Sequence, residues 1–231
     1  MENKTMKTVL KVTALACMLM TTSAGAAIED NTLQIQGTVT PASCEPVLSN
    51  GGEVDFGNTI TEKLTQEYNQ LPSKELYFTI TCQNAAKISL HMIDNNPTGR
   101  RPMVITYAYD DSSNSTDVNQ QFGLGINSKG EPVGAYSVAI SGSPLDNGDG
   151  VYVIGSSGGD WAFSRNQAFS NGTGEITYLS FTGSDSEIKP AAISTLTMML
   201  KISAAVASNT AVDMTDAIEF NGSSTIVMTY L

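Results

Sequence analysis

Hydrophobic and polar residues alternate along short stretches of this chain, and clusters of glycine, asparagine and aspartate separate the stretches. Because successive side chains of a β-strand point to opposite faces, this alternation predicts strands with one buried face. The stretches are also rich in β-branched and aromatic residues, which favour strands. Their number and spacing predict an all-β sandwich or barrel. The predicted strands comprise residues 33–39, 76–82, 88–92, 104–109, 135–140, 151–154, 176–181, 196–206 and 225–231.

Turn and helix signals complete this pattern. Leu64 and Tyr68, within residues 61–71, have the spacing of one or two helical turns. Residues 110–117 are strongly polar and predict an exposed loop. No proline-rich linker divides the chain, so we expect a single domain. Turns are predicted at residues 95–99, 127–130, 146–150 and 155–159.

Residues 1–26 have the organisation of a cleavable secretory signal peptide. Lysines at the start are followed by an apolar stretch over residues 12–20, which is too short to span a bilayer. The small residues of Ala24–Ala26 then predict cleavage after Ala26. The alternative is a lipoprotein signal that ends at Cys17.

The net charge argues against two classes of binding partner, and the cysteine content predicts a disulfide bond. The 231-residue chain has a formal net charge of −11, which predicts repulsion from nucleic acids and anionic lipid surfaces. After cleavage of the leader only Cys44 and Cys82 remain. An even cysteine count in an exported protein predicts a disulfide bond. The alternative is a pair of buried free thiols.

The sequence contains no complete set of catalytic or metal-binding residues. Gly155–Gly159 matches the G-x-S-x-G pattern of a serine hydrolase, but no helix signature follows. The only histidine, His91, precedes this motif, whereas the hydrolase order places histidine after the serine. One histidine and two paired cysteines do not make a zinc site. We therefore expect no enzyme activity, no metal and no cofactor.

The alternating run over residues 33–39 is followed by Cys44, Val54–Asn58 and Phe78–Cys82. These four motifs, taken in order, resemble those of the chaperone–usher family of bacterial pilus subunits. The chain end, with Gly222 and a penultimate Tyr230, is also similar to that family. The resemblance covers residues 31–93 and 194–231, while the longer centre is similar to the larger beta-fimbria-like subunits.

The resemblance implies an incomplete immunoglobulin-like Greek-key sandwich with enlarged central loops. It divides the chain into a leader, an N-terminal donor-strand extension over residues 27–40 and a pilin-like domain over residues 41–231 with an insertion around 95–190. In this family a periplasmic chaperone fills the open groove. At the outer-membrane usher, the N-terminal strand of a neighbouring subunit replaces the chaperone. The implied location is the periplasm in transit and then the cell-surface fimbria.

The resemblance also assigns roles to individual residues. Apolar residues of the first run would insert into a neighbour's groove, and Gly37 would stand where the groove is too shallow for a side chain. The last strand would line the groove and meet the chaperone, with Leu231 supplying the terminal carboxylate. The alternative is a complete sandwich whose first strand folds back onto its own sheet. The inserting residues are Leu33, Ile35 and Val39, and the groove-lining residues are Ile226, Met228 and Tyr230.

These observations lead to two principal hypotheses of function. The first is a structural or minor pilus subunit that contributes to cell adhesion. The second is a minor or tip binding module that recognises a host glycan or protein receptor through Tyr152, Trp161 and Arg165 of the central loops.

A glycan array probed with the purified protein separates the two hypotheses. Binding to a defined sugar is expected for the binding module, because an exposed aromatic ring stacks on a sugar face. Absence of binding across the array is the outcome expected for the structural subunit.

Overall fold

The computed structural model describes residues 43–109, 113–172 and 177–231. The predicted leader and the predicted donor-strand extension lie outside these residues. Over the described ranges no helix is both long and apolar enough for a membrane span. Short 3-10 turns occur at Ser49–Gly52, Thr61–Lys63, Pro97–Gly99 and Val118–Gln120. The strands are β1 (Cys44–Leu48), β2 (Tyr68–Gln70), β3 (Lys74–Asp94), β4 (Phe122–Gly123), β5 (Gly134–Asp146), β6 (Asp149–Gly150), β7 (Tyr152–Ser156), β8 (Ala162–Phe163), β9 (Tyr178–Thr182), β10 (Ala192–Ala207) and β11 (Ser224–Tyr230).

The strands form two antiparallel sheets that pack as an immunoglobulin-like β-sandwich, which confirms the predicted fold class. The first sheet has the order β1-β3-β10-β5-β4, with β2 paired to β10 and β6 paired to β5. The second sheet has the order β11-β3-β9-β7-β8. Residues 95–190, predicted as an insertion, contribute β4 to β9 and so add strands to both sheets.

The long strand β3 belongs to both sheets. Its first part pairs with β1 and β10, and residues 88–94 pair with β11. Leu76 and Met92, from the two parts of β3, face the same cavity between the sheets. One continuous strand thus joins the two layers of the sandwich.

Alternation along the strands explains the core. In β3, Leu76, Phe78 and Ile80 are buried, whereas the intervening Tyr77 is 61% exposed. The even-numbered residues from Leu196 to Ile202 of β10 are buried in the same way. Because these side chains share one face of each strand, the two sheets enclose a continuous hydrophobic core.

A two-residue turn shows how local sequence sets the strand register. Asn147 and Gly148, between β5 and β6, have φ values of 53° and 93°. Both residues of a type I′ hairpin turn need positive φ, and asparagine followed by glycine is the favoured pair. The turn places Asp146 opposite Asp149.

Most of the predicted strands are confirmed, and two local predictions are wrong. Residues 104–109 form no strand, because Tyr107 has a φ of 52° and only an isolated bridge joins Ile105 to Ser115. Residues 61–71 form no α-helix but a 3-10 turn at Thr61–Lys63 followed by β2.

The predicted disulfide bond between Cys44 and Cys82 is present. The two cysteines lie directly opposite each other in β1 and β3, with a sequence separation of 38 residues. The bond fixes the start of the edge strand β1 to the long strand.

We predict that replacing both cysteines by alanine lowers the free energy of unfolding by about 4 kcal/mol, because the bond closes a loop of this length in the unfolded chain. Urea denaturation of the variant and of the oxidised parent measures the difference. Equal stabilities would contradict this role of the bond.

Candidate binding groove

The edge strands β1 and β11 pair with the same side of β3 and flank an opening in the sandwich. β1 pairs with the first part of β3 and β11 with the last part, and within the described ranges neither strand has another partner strand. Because β3 passes from one sheet to the other, its two edge neighbours face each other across the layers. The opening between them is the candidate site.

The first section of this opening is a cavity of about 410 Å³. Its walls are Leu48–Phe56 on the β1 side and Phe220–Ile226 on the β11 side. Its floor consists of core side chains, namely Leu76, Met92, Leu124, Tyr136, Val138, Leu200 and Ile202.

A second cavity of about 460 Å³ continues the first one. It extends along residues 54–61 and 217–220, over Leu64, Val206 and Met214. The two cavities share Val54, Phe56 and Phe220. We call the two cavities together the groove, and these three shared residues its constriction.

Apolar side chains on both walls pack against the core but stay partly exposed. On the first wall these are Leu48 and the alternating pair Val54 and Phe56. On the second wall they are Ile218, Phe220, Ile226 and Met228. Full burial of such a side chain contributes about 1.5 to 3 kcal/mol. Covering the exposed parts of these side chains would therefore be favourable.

Part of the first wall, residues 54–59, pairs with no strand in the described part of the chain. Between Val54 and Thr59 the single backbone hydrogen bond in the described part of the chain is donated by Gly57 N to Asp55 Oδ1, at 2.6 Å. The free edge of β11 faces the same opening. Both walls therefore present backbone donors and acceptors that an extended segment can pair with.

One end of the groove is closed by the predicted C-terminal strand. The backbone N–H of Cys44 donates to the Tyr230 hydroxyl at 2.7 Å, and Leu231 N donates to the Lys87 carbonyl at 3.0 Å. Tyr230 therefore joins β11 to the start of β1. Ile226 lines the first cavity and Met228 packs against the core.

Tyr136 fixes the floor of the groove at the start of β11. Tyr136 and Ser224 both line the first cavity, and the Tyr136 ring stacks on Phe122 with a centroid separation of 5.3 Å. Burial raises the pKa of Tyr136 well above its usual value, and the neighbouring Ser224 side chain opposes this shift. The hydroxyl therefore stays protonated.

The structure places the predicted glycan residues at the β7–β8 hairpin. Ile154 pairs with Phe163, so Tyr152 and Arg165 lie opposite each other when this register is extended. Trp161 lies at the other end of the hairpin, beyond Ala162. The Tyr152 ring meets Phe163 instead, at a centroid separation of 5.7 Å. The hypothesis of a glycan site stays a prediction.

The G-x-S-x-G motif forms a turn. The Ser156 hydroxyl donates to the Gly159 carbonyl at 3.0 Å and accepts from Gly158 N at 3.2 Å. Within residues 43–109, 113–172 and 177–231, no three histidine, cysteine or carboxylate side chains come together as a metal site.

Of the residues predicted to line the groove, Ile226 lines the first cavity, whereas Met228 packs against the core and Tyr230 contacts Cys44 N. The roles of Leu33, Ile35, Gly37 and Val39 stay predictions, because these residues lie outside the described ranges. Ile218 and Phe220 were missed, although their alternation with Glu219 was a signal.

The comparisons with known proteins add relatives that span the whole fold. The family model "Protein of unknown function (DUF1120)" matches residues 33–137. The chain is 30% identical to protein GltF of Escherichia coli (strain K12), over 95% of this chain and 97% of GltF. It is 25% identical to the uncharacterized protein YhcF of the same strain, over 86% of this chain and 90% of YhcF.

We predict that Gly222→Ala destabilises the fold by about 1 to 3 kcal/mol, as overpacking does. A Cβ atom at this position would lie 2.7 Å from Tyr136 Cε1 and 2.9 Å from the Gly123 carbonyl oxygen. Gly150→Ala is the matched control, because its Cβ atom would meet nothing within 4 Å. Urea denaturation measures both variants, and equal stabilities would count against the tight packing of the groove wall.

Proposed function

This chain belongs to the protein family that includes GltF of Escherichia coli, and we propose that it is a subunit of a surface pilus assembled by donor-strand exchange. The observation that supports this proposal is the open groove between residues 53–60 and β11. A sandwich with a vacant strand position is the acceptor that this assembly requires.

An inserted strand would pair the free backbone groups of the groove and also cover its exposed apolar side chains. Its backbone pairs with the first wall and with the free edge of β11, while its alternate side chains enter the cavities. Such an insertion also covers a strand edge that would otherwise promote aggregation. The groove therefore favours an extended segment with one apolar face over a compact ligand.

The N-terminal run of another copy, or of a related subunit, has the chemistry of such a segment. Leu33, Ile35 and Val39 fall on one face, and same-face side chains along a strand are about 6.8 Å apart. Burial of three aliphatic side chains contributes roughly 5 to 9 kcal/mol before ordering costs. In our proposal Gly37 lies at the constriction, where the aromatic rings leave little room.

The proposal includes the partners that precede assembly. A periplasmic chaperone would occupy the groove during transit, and an outer-membrane usher would exchange it for the strand of the next subunit. The chain would then reside in a cell-surface fimbria as a structural or minor subunit and contribute to adhesion. These partners follow from the resemblance to chaperone–usher subunits and from the exposed apolar walls.

A peptide-binding experiment tests the proposal. The acceptor is the chain from residue 27 onwards with Gly37→Leu, which should be unable to donate its own strand. A peptide of residues 31–41 should bind this acceptor, and the same peptide with Gly37→Leu should bind at least about tenfold more weakly, because leucine overpacks the constriction. Isothermal titration calorimetry measures both affinities.

The two peptides share length, charge and every residue except the one at position 37, so each is the control for the other. Equal affinities would exclude Gly37 from the constriction. Failure of the unaltered peptide to bind would contradict the proposed function itself.

A further inference from the structure

A cluster of short polar side chains ties the loop after β3 to the start of β11. We call this cluster the clasp. Its members on the loop side are Asp94, Asn95 and Asn96, and its members on the β11 side are Asn221, Ser223 and Thr225.

Asp94 organises the loop side of the clasp. Its carboxylate is buried, with a side-chain exposure of 1%. It accepts hydrogen bonds from Asn96 N and Gly123 N, each at 3.0 Å, and lies 3.9 Å from the Arg100 guanidinium. Because a buried carboxylate needs such partners, the loop is held in one conformation.

Asn95 reaches β11 with both its backbone and its side chain. Its backbone N–H donates to the Ser223 carbonyl at 2.9 Å. Its Nδ2 atom donates to Ser223 Oγ at 3.1 Å and to Thr225 Oγ1 at 3.0 Å. One side chain therefore holds two hydroxyls of the wall, at positions 223 and 225.

Asn96 extends the clasp by one more contact. Its Nδ2 atom donates to Asn221 Oδ1 at 3.1 Å, and Asn221 N in turn donates to the Leu124 carbonyl at 3.0 Å. Gly222, between these anchors, packs directly on the Tyr136 ring. The start of β11 is thus fixed on three sides.

The clasp acts on residues that line the groove, although its asparagines do not line the groove themselves. Ser223 is both a clasp member and part of the cavity wall, and Ser224 and Ile226 follow it in β11. Without the clasp, movement of β11 inward over the core would bury more of its apolar face, which is favourable. The clasp opposes that movement from the outer side.

We propose that Asn95 and Asn96 are positioning residues that hold the β11 wall in its strand-accepting position while the groove is empty. This inference rests on the proposed function, because it concerns how the same groove is kept ready. Preorganisation of this kind reduces the ordering cost that an incoming strand would otherwise meet.

Hydrogen–deuterium exchange of the empty protein tests the inference without any ligand. In the double variant Asn95→Ala/Asn96→Ala, the amides of residues 224–230 should exchange about tenfold faster, while those of β10 keep the parent's rates. Asn114→Ala is the matched control, because it removes one hydrogen bond, accepted from Tyr107 N, on a loop that does not line the groove.

A pair of substitutions at Thr225 separates the hydrogen bond from packing. Thr225→Val removes the hydroxyl that Asn95 contacts and keeps the shape, so it should accelerate exchange in β11. Thr225→Ser keeps the hydroxyl and should preserve the parent's exchange rates. Equal rates in both variants would overturn the role of this contact.

Affinity for the peptide of residues 31–41 provides the second readout. In the Gly37→Leu background, the double variant should bind this peptide about tenfold more weakly than its parent and the Asn114→Ala control. Unchanged exchange in β11, or equal acceleration throughout the chain, overturns the inference. If β11 alone is accelerated but the parent itself does not bind the peptide, the clasp stands and the proposed function fails.

Discussion

Two backbone edges without a partner strand in the described part of the chain border one groove in the hydrophobic core, and this is the constraint on which the structure depends. Residues 54–59 and β11 each present backbone groups and partly exposed apolar side chains to the same opening. An extended segment can pair the backbone donors and acceptors of both walls and cover their apolar side chains at the same time. We therefore propose that the groove accepts an extended strand.

The rest of the molecule holds the two walls apart. β3 links both sheets and carries β1 and β11 on one edge, so the positions of the walls are set by a single strand. The disulfide bond of Cys44 and the contact from Cys44 N to Tyr230 fix one end of the groove. The clasp fixes the other end. This arrangement explains how the groove keeps a defined shape.

The sequence predicted the features that depend on local pattern. Alternation located most strands, and the cysteine count gave the disulfide bond. It failed for residues 104–109, where the positive φ of Tyr107 ends the extended conformation and no neighbouring strand is available. The clasp was not predictable, because Asn95 and Thr225 are 130 residues apart and neither shows a pattern of its own. The sequence shows residues 54–58 of the first wall as a motif. Only the structure shows that this segment pairs with no strand in the described part of the chain.

Hydrogen–deuterium exchange of the Gly37→Leu chain, with and without the peptide of residues 31–41, tests the central claim most directly. A strand inserted between two unpaired edges hydrogen-bonds to both of them. The peptide is therefore expected to protect amides in residues 53–60 and in β11 together. Protection of one wall alone, or of neither, would contradict the proposal that the groove accepts a strand.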